Sequence, residues 1–108
     1  MKPKIKFSKN WNNKLNQEYF TTIRRFSEDK YDYYLMKMGD VFDVVLANKK
    51  IGKAKLVLLE TYKFKELSHA LVMVDTGMMF YEAEDVFRKF GIKDKDKVIV
   101  LTFRRLKA

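Results

Sequence analysis

Hydrophobic and polar positions alternate with the two-residue period of a β-strand in several separate segments. The chain opens with lysines alternating with Ile5 and Phe7, and residues 19–26, YFTTIRRF, are rich in the Thr, Ile, Tyr and Phe that favour a pleated surface. Further strands are predicted at 41–47 (VFDVVLA), 51–64 (IGKAKLVLLETYKF) and 98–106 (VIVLTFRRL). Gly52, near the start of the longest of these, indicates a bulge or a close backbone approach.

A 3.6-residue period replaces this alternation in two later segments, so helices are predicted at 65–74 (KELSHALVMV) and 78–91 (MMFYEAEDVFRKFG). Their apolar stripes are Leu67, Ala70, Leu71 and Val74 in the first, and Ala83, Val86, Phe87 and Phe90 in the second. Gly91 is a ready C-terminal stop. A short helix capped by Ser8 or Asn10 is predicted in KNWNNKLNQE, where Trp11 and Leu15 are four residues apart.

Residues 27–40, SEDKYDYYLMKMGD, are predicted to be a long connection of unusually apolar composition. Its tyrosines, Tyr31, Tyr33 and Tyr34, either pack on the body of the protein or stack on the bases of a single strand. The sequence leaves both alternatives open, together with the question of whether residues 27–39 are ordered without a ligand.

The order of elements is strand, short helix, strand, long connection, two strands, two helices and a closing strand. This order predicts an α+β fold with one domain over residues 1–108. We expect about five to six mostly antiparallel strands curled into a small β-barrel, with two to three helices packed on its side.

A formal net charge of +9 adds a candidate partner to this picture. Nucleic acid is the first polyanion to consider and an anionic membrane surface the second, while solubility alone also accounts for the charge. Residues 1–60 carry 13 basic and 7 acidic side chains, so the basic surface is expected in the N-terminal half.

Several classes of site and location are disfavoured by composition. The chain has no cysteine and one histidine, His69, so neither a disulfide nor a Cys- or His-based metal site is expected, and no cofactor is predicted. No apolar run approaches the ~20 residues of a membrane-spanning helix, and the basic opening lacks the apolar run of a signal peptide. These features predict a cytoplasmic protein without a membrane partner.

Four segments in order, FTTIRR, GDVFDVVLANKKIGKAKLV, LSHALVMVDTG and VIVLTFRRL, resemble an ASCH domain, a branch of the PUA-like superfamily. The resemblance runs from about residue 5 to 106. It implies a small β-barrel with helices on its side and a cleft between them. In this family the cleft is linked to RNA or modified nucleosides, and some members are amidohydrolases acting on N4-acetylcytidine or are ribonucleases.

The family motif, roughly Gly-x-Lys-x-x-(Glu or Thr)-x-Arg, is half present. The resemblance places its Arg at Arg24 and its Thr at Thr22, whereas its Lys falls on Tyr19 and its Gly on Gln17. A carboxylate from the helical insertion completes the site in the amidohydrolases, and Asp75 in VDTG is the nearest counterpart. A tyrosine is a poor general base at neutral pH, so the departure at Tyr19 argues against an enzyme.

The sequence therefore predicts an RNA- or nucleotide-binding domain. Its binding residues are expected to be Thr22, Arg24, Arg25, Lys53 and Asp75. Arginine offers a planar fork that fits a phosphate or a base edge. A plain structural role is the competing interpretation, with Arg24 paired to Asp75 or Glu28 and with the Asp75 segment only ending a helix and capping the next.

Two further functions remain open. A small hydrolase would use Thr22 as nucleophile, Asp75 as acid and base, and Arg24 as anchor. A protein-interaction domain would use its charge only for solubility. Lys14, in the segment before the strand, is a possible substitute for the missing lysine, although the sequence does not place it there.

Overall fold

The computed structural model describes residues 2–107. Five strands run through the chain: β1 (Lys4–Phe7), β2 (Tyr19–Arg25), β3 (Val41–Leu46), β4 (Lys49–Lys63) and β5 (Lys97–Leu106). The α-helices are α1 (Glu28–Met36), α2 (His69–Thr76) and α3 (Phe80–Lys89), and 3-10 helices span Trp11–Asn16 and Phe64–Glu66.

The strands form one curled sheet in the order β1-β3-β4-β5-β2, which confirms the predicted α+β fold and its mostly antiparallel sheet. β1 pairs with β3 in parallel, and the other three pairings are antiparallel. Although β1 and β2 are the two outer strands, the curl brings them together, and the Arg24 guanidinium of β2 donates to the carbonyl of Lys6 in β1 at 2.8 Å. We call this junction of the two edges the seam.

Two apolar clusters hold the fold together, one on each side of the sheet. The cluster inside the curl contains Phe20, Phe42, Leu56, Leu101 and Phe103 among its members. The other cluster lies where α2 and α3 pack on the outer surface, and it includes Ile23, Val72, Phe87, Val98 and Val100. The alternation of β2 and β5 is explained by these two clusters, since neighbouring residues enter different ones.

The predicted connection at 27–40 is wrong, because the structure contains α1 there. Ser27 caps this helix by accepting from the Lys30 amide, and Glu28 and Asp29 occupy its first turn. Gly39 lies just beyond it at a φ of 82°. α1 buries no residue completely, and only Tyr31 and Tyr34, one turn apart, pack against the cluster inside the curl, so its apolar face is narrow.

The stripe predicted for residues 65–74 is partly confirmed, because Leu67 is buried and Leu71 packs against the cluster under α2 and α3, whereas Ala70 and Val74 are exposed. α2 begins only at His69 and buries Val72, Asp75 and Thr76, while Val74 is 66% exposed. The helix therefore turns a carboxylate toward the sheet. In α3 the prediction is partly confirmed, because Ala83 and Phe87 are buried whereas Phe90 is 62% exposed.

The short helix predicted around Trp11 is a 3-10 segment interrupted by left-handed backbone. Asn12 and Asn13 have φ values of 55° and 54°. Asparagine is among the few residues that tolerate this conformation. The resulting turn directs Lys14 and Leu15 into the protein, where both are buried.

The prediction of an irregularity near Gly52 is confirmed, since the register of β3 against β4 shifts opposite this residue. Among residues 2–107, every helix is too short or too polar to cross a membrane.

Candidate functional site

A pocket of about 240 Å³ opens at the seam. Its walls come from the end of β1 and the residues after it, the Trp11 segment, β2, the buried side of α2, and the end of α3. It is lined by Lys6, Phe7, Ser8, Lys9, Trp11, Lys14, Thr22, Ile23, Arg24, Arg25, Asp75, Phe87, Phe90 and Ile92. We call this cavity the seam pocket.

A buried ion pair forms one side of the seam pocket. The Lys14 ammonium lies 2.9 Å from Asp75 Oδ1, and the side chains are 7% and 2% exposed. The other carboxylate oxygen accepts from the Thr21 hydroxyl at 2.7 Å. Lys14 also lies over the ring of Phe7, with its nitrogen 5.3 Å from the ring centroid. Asp75 thus connects the Trp11 segment, β2 and α2.

Arg24 is the second inner cation of the seam pocket. Its Nε donates to the Thr22 hydroxyl oxygen at 2.9 Å, and its Nη2 donates to the Lys6 carbonyl. The guanidinium carbon lies 4.9 Å from the centroid of the Phe7 ring, a distance suited to a cation–π contact. These contacts fix the guanidinium across the seam and leave Nη1 without a hydrogen bond among the described residues.

Aromatic rings also line the seam pocket, beside Lys14 and Arg24. Trp11 and Phe90 are nearly parallel, with centroids 6.3 Å apart, and Trp11 meets Phe87 edge to face. Arg25 holds the end of α3 nearby by donating to the Gly91 carbonyl. The pocket therefore offers ring surfaces and cations together.

Burial changes the acid–base properties of both inner cations. It lowers the pKa of Lys14, an effect that the adjacent Asp75 carboxylate opposes. Burial likewise lowers the pKa of Arg24, although an arginine remains charged at neutral pH. Each cation is thus partly deprived of water, and an anion placed beside it would compensate.

Four of the five predicted binding residues line the seam pocket: Thr22, Arg24, Arg25 and Asp75. Lys53 lies elsewhere, on the part of β4 opposite the last residues of β5. The competing interpretation, in which Arg24 pairs with Asp75 or Glu28, is wrong, since Asp75 pairs with Lys14 and Arg24 donates to Thr22 and to the Lys6 carbonyl.

The other candidates lie outside the pocket. Tyr19 is 55% exposed. Tyr31 and Tyr34 pack against the cluster inside the curl, so these two tyrosines pack on the body of the protein. Tyr33 is 43% exposed. The segment at Asp75 does end α2, with Gly77 at a φ of 74°, but the cap position of α3 is Met79.

Sequence reasoning did not place Lys14, Thr21 or Trp11 in the site. The useful signal was the Asn12–Asn13 pair, because two successive asparagines favour left-handed backbone and hence a change of direction. The Asn12 side chain also donates to the Val74 carbonyl at 2.9 Å, which ties this turn to the end of α2.

The described residues hold no group of three or more His, Cys, Asp or Glu side chains able to bind a metal ion.

The chain matches no protein-family model, and comparison with curated proteins and with solved structures finds no match to either.

Proposed function

We propose that the seam pocket binds a nucleotide unit of RNA or a free nucleotide. The observation that carries this proposal is the charge of the lining: five cations, Lys6, Lys9, Lys14, Arg24 and Arg25, accompany a single carboxylate. That carboxylate is already paired with Lys14. A phosphate would supply the missing negative charge.

Arg24 is the central phosphate ligand in this proposal. Its position across the seam is fixed by Thr22 and by the Lys6 carbonyl, so little side-chain entropy is lost when an anion binds. The exposed ammonium groups of Lys6 and Lys9 contribute at the rim. Asp75 acts by holding Lys14 and Thr21, since both of its oxygens are occupied.

The base would lie against the exposed ring of Phe90, next to Trp11. Stacking of a base on an aromatic ring contributes roughly 1–3 kcal/mol and is tolerant of sequence. Rings and cations in one pocket therefore favour a nucleotide over an inorganic anion. An ASCH-like function in nucleotide or RNA binding is consistent with this arrangement.

Trp11 is the chain's single tryptophan and lines the pocket, so its fluorescence reports on ligand directly. We expect uridine or adenosine monophosphate to change this emission, and the corresponding nucleosides to bind more weakly. Arg24→Met should weaken nucleotide binding roughly ten- to hundredfold, the range of about 1.5–3 kcal/mol for a hydrogen bond to a charged group.

Arg88→Met is the matched control, since Arg88 is exposed on α3 and lies outside the pocket. Its affinity for mononucleotides should equal that of the wild type. Equal binding of nucleosides and nucleotides, or an Arg24 variant that binds normally, would contradict the proposal.

A small hydrolase is the second candidate, and the presence of the Lys14–Asp75 pair and Thr22 in one pocket favours it. The lysine beside the Asp75 carboxylate is Lys14. The lysine of the family motif would instead stand at the position of Tyr19. The lowered pKa of Lys14 eases its loss of a proton, which a general base requires. Thr22 accepts from Arg24, so its own hydroxyl proton is free to be removed.

Turnover of N4-acetylcytidine tests this candidate. The two threonines are neighbours on opposite faces of β2, so Thr21→Val and Thr22→Val form a matched pair. A nucleophilic Thr22 predicts that Thr22→Val abolishes turnover while Thr21→Val only reduces it. Absence of turnover by the wild type would leave binding as the function.

A further inference from the structure

A second cationic surface lies on the outer face of the sheet, away from α2 and α3. Strand register places Lys55 directly opposite Arg104, and Arg104 opposite Tyr19. The next row along the strands runs Lys4, Asp43, Lys53 and Leu106 across four strands. A third row contains Lys6, Val45 and Lys50. We call the six basic residues, Lys4, Lys6, Lys50, Lys53, Lys55 and Arg104, the outer cationic face.

The two ends of β5 explain why this face is uncovered. Val98 and Val100 are buried in the cluster under α2 and α3. Arg104 lies on the same face of the strand, because side chains two residues apart point the same way, but it is exposed. The helices therefore cover only part of the outer surface.

Like charges are concentrated here without equivalent acids. Lys55 and Arg104 are direct cross-strand neighbours, an arrangement that is destabilising between like charges. The nearby ammonium groups of Lys2 and Lys50 lower the pKa of Lys53. Asp43 is the acidic residue in the three rows. It is 9% exposed, and its Oδ1 lies 3.3 Å from the Lys50 ammonium nitrogen.

We propose that the outer cationic face binds the phosphodiester backbone of a nucleic acid, independently of the base held in the seam pocket. Strands lie about 4.8 Å apart and alternate residues about 6.6 Å apart, so the cations form a regular grid over several phosphates. Binding releases counterions from the nucleic acid and relieves the repulsion between neighbouring cations.

An anionic bilayer is the competing partner. Surface binding to a bilayer combines charge with a buried apolar face. The aliphatic members of the three rows, Val41, Val45 and Leu106, are half-buried, and the exposed ring of Tyr19 lies at the end of the first row beside Arg104. The rows therefore present six cations against one exposed ring, which favours nucleic acid.

Lys6 belongs to both surfaces, since it lines the seam pocket and lies in the third row. A single RNA strand can thus pass from the face into the pocket. The face itself does not depend on the proposed function of the pocket, because a duplex keeps its bases paired and stacked and therefore places none of them in the pocket.

The test is fluorescence anisotropy with labelled 20-base-pair DNA and RNA duplexes between 50 and 200 mM salt. The face variant carries Lys53→Gln, Lys55→Gln and Arg104→Gln. Its matched control carries Lys65→Gln, Lys89→Gln and Lys95→Gln, three exposed lysines near the helices. Both variants lower the net charge by three, so they differ only in where the charge is lost.

We expect the wild type to bind both duplexes. For DNA, the slope of log K against log salt should be smaller in magnitude by about 2.7 in the face variant, since each phosphate contact contributes about 0.9. The control should keep the wild-type slope. Equal losses in the two variants would show that binding follows net charge alone and would overturn the proposal.

Two more measurements separate this proposal from its alternatives. Arg24→Met should retain duplex binding even where it loses mononucleotide binding, which distinguishes the face from the pocket. Phosphatidylserine vesicles provide the other comparison. Binding to these vesicles without binding to either duplex at 50 mM salt would reassign the face to a membrane.

Discussion

At the scale of single residues, the ion pair of Lys14 with Asp75 links the stability of the fold to the proposed site. The pair is buried, and its members are 61 residues apart in the chain. Breaking a buried pair by removing one partner typically costs about 3–5 kcal/mol, because the other charge stays buried and uncompensated. We expect this cost for Lys14→Met.

Asp75→Asn should be less destabilising, because burial already lowers the pKa of Lys14 and eases the loss of its proton. The double variant Lys14→Met/Asp75→Asn should therefore lose less stability than the sum of the single variants. Urea denaturation at pH 7 measures all three. Strictly additive losses would mean that the two side chains do not interact energetically.

Single residues also show how much of the candidate site the sequence predicts. Thr22 and Arg24 were placed correctly on one strand face, because a period of two fixes which residues point together. Asp75 was selected only through the family resemblance. Its partner was missed because a contact between residues 14 and 75 depends on tertiary packing that no local pattern encodes.

At the scale of elements, the strands were predictable and the short or polar elements were not. Strand alternation survives in β2 and β5 because each face enters a different cluster. α1 had clear end signals, Ser27 before Glu28 and Asp29 at its start and Gly39 after its end. Only Tyr31 and Tyr34 pack against the core, and Tyr33 and Met36 are exposed, so the helical period of this segment is weaker than its end signals.

The Trp11 segment yields a prediction at this scale, since Asn12 combines positive φ with a hydrogen bond to Val74. Asn12→Gly loses the hydrogen bond but keeps a permissive backbone, whereas Asn12→Ala loses the bond and also strains the backbone. Left-handed backbone costs an ordinary residue roughly 1–2 kcal/mol. We expect Asn12→Ala to be less stable than Asn12→Gly by about 1 kcal/mol in urea denaturation. Equal stabilities would show that the positive φ is not maintained.

At the scale of the whole molecule, the curl of the sheet produces the site. β1 and β2 lie at opposite ends of the strand order, yet Arg24 and Lys6 meet at the seam. The sequence predicted a curled sheet, but the parallel pairing of β1 with β3 was not foreseeable. A parallel pair joins strands that are distant in the chain, and nothing in a four-residue strand specifies its partner.

Charge distribution gives the final prediction at this scale. The net charge is +9, and the outer cationic face holds like charges as cross-strand neighbours. In the absence of ligand, the triple variant of that face should be more stable than the wild type by about 0.5–1 kcal/mol, within the range for removing one unfavourable cross-strand pair, that of Lys55 with Arg104. The helix-side control, whose lysines lie among the acids of α3 and the Asp94–Asp96 turn, should gain nothing.

Thermal denaturation in low salt checks this difference, and added salt should diminish it as the charges become screened. A face variant that is less stable than the control would mean that the lysine and arginine side chains stabilise the sheet through their apolar stems. The expected result would show that the protein retains these cations at a cost to its own stability, which is the behaviour of a surface that binds an anionic partner.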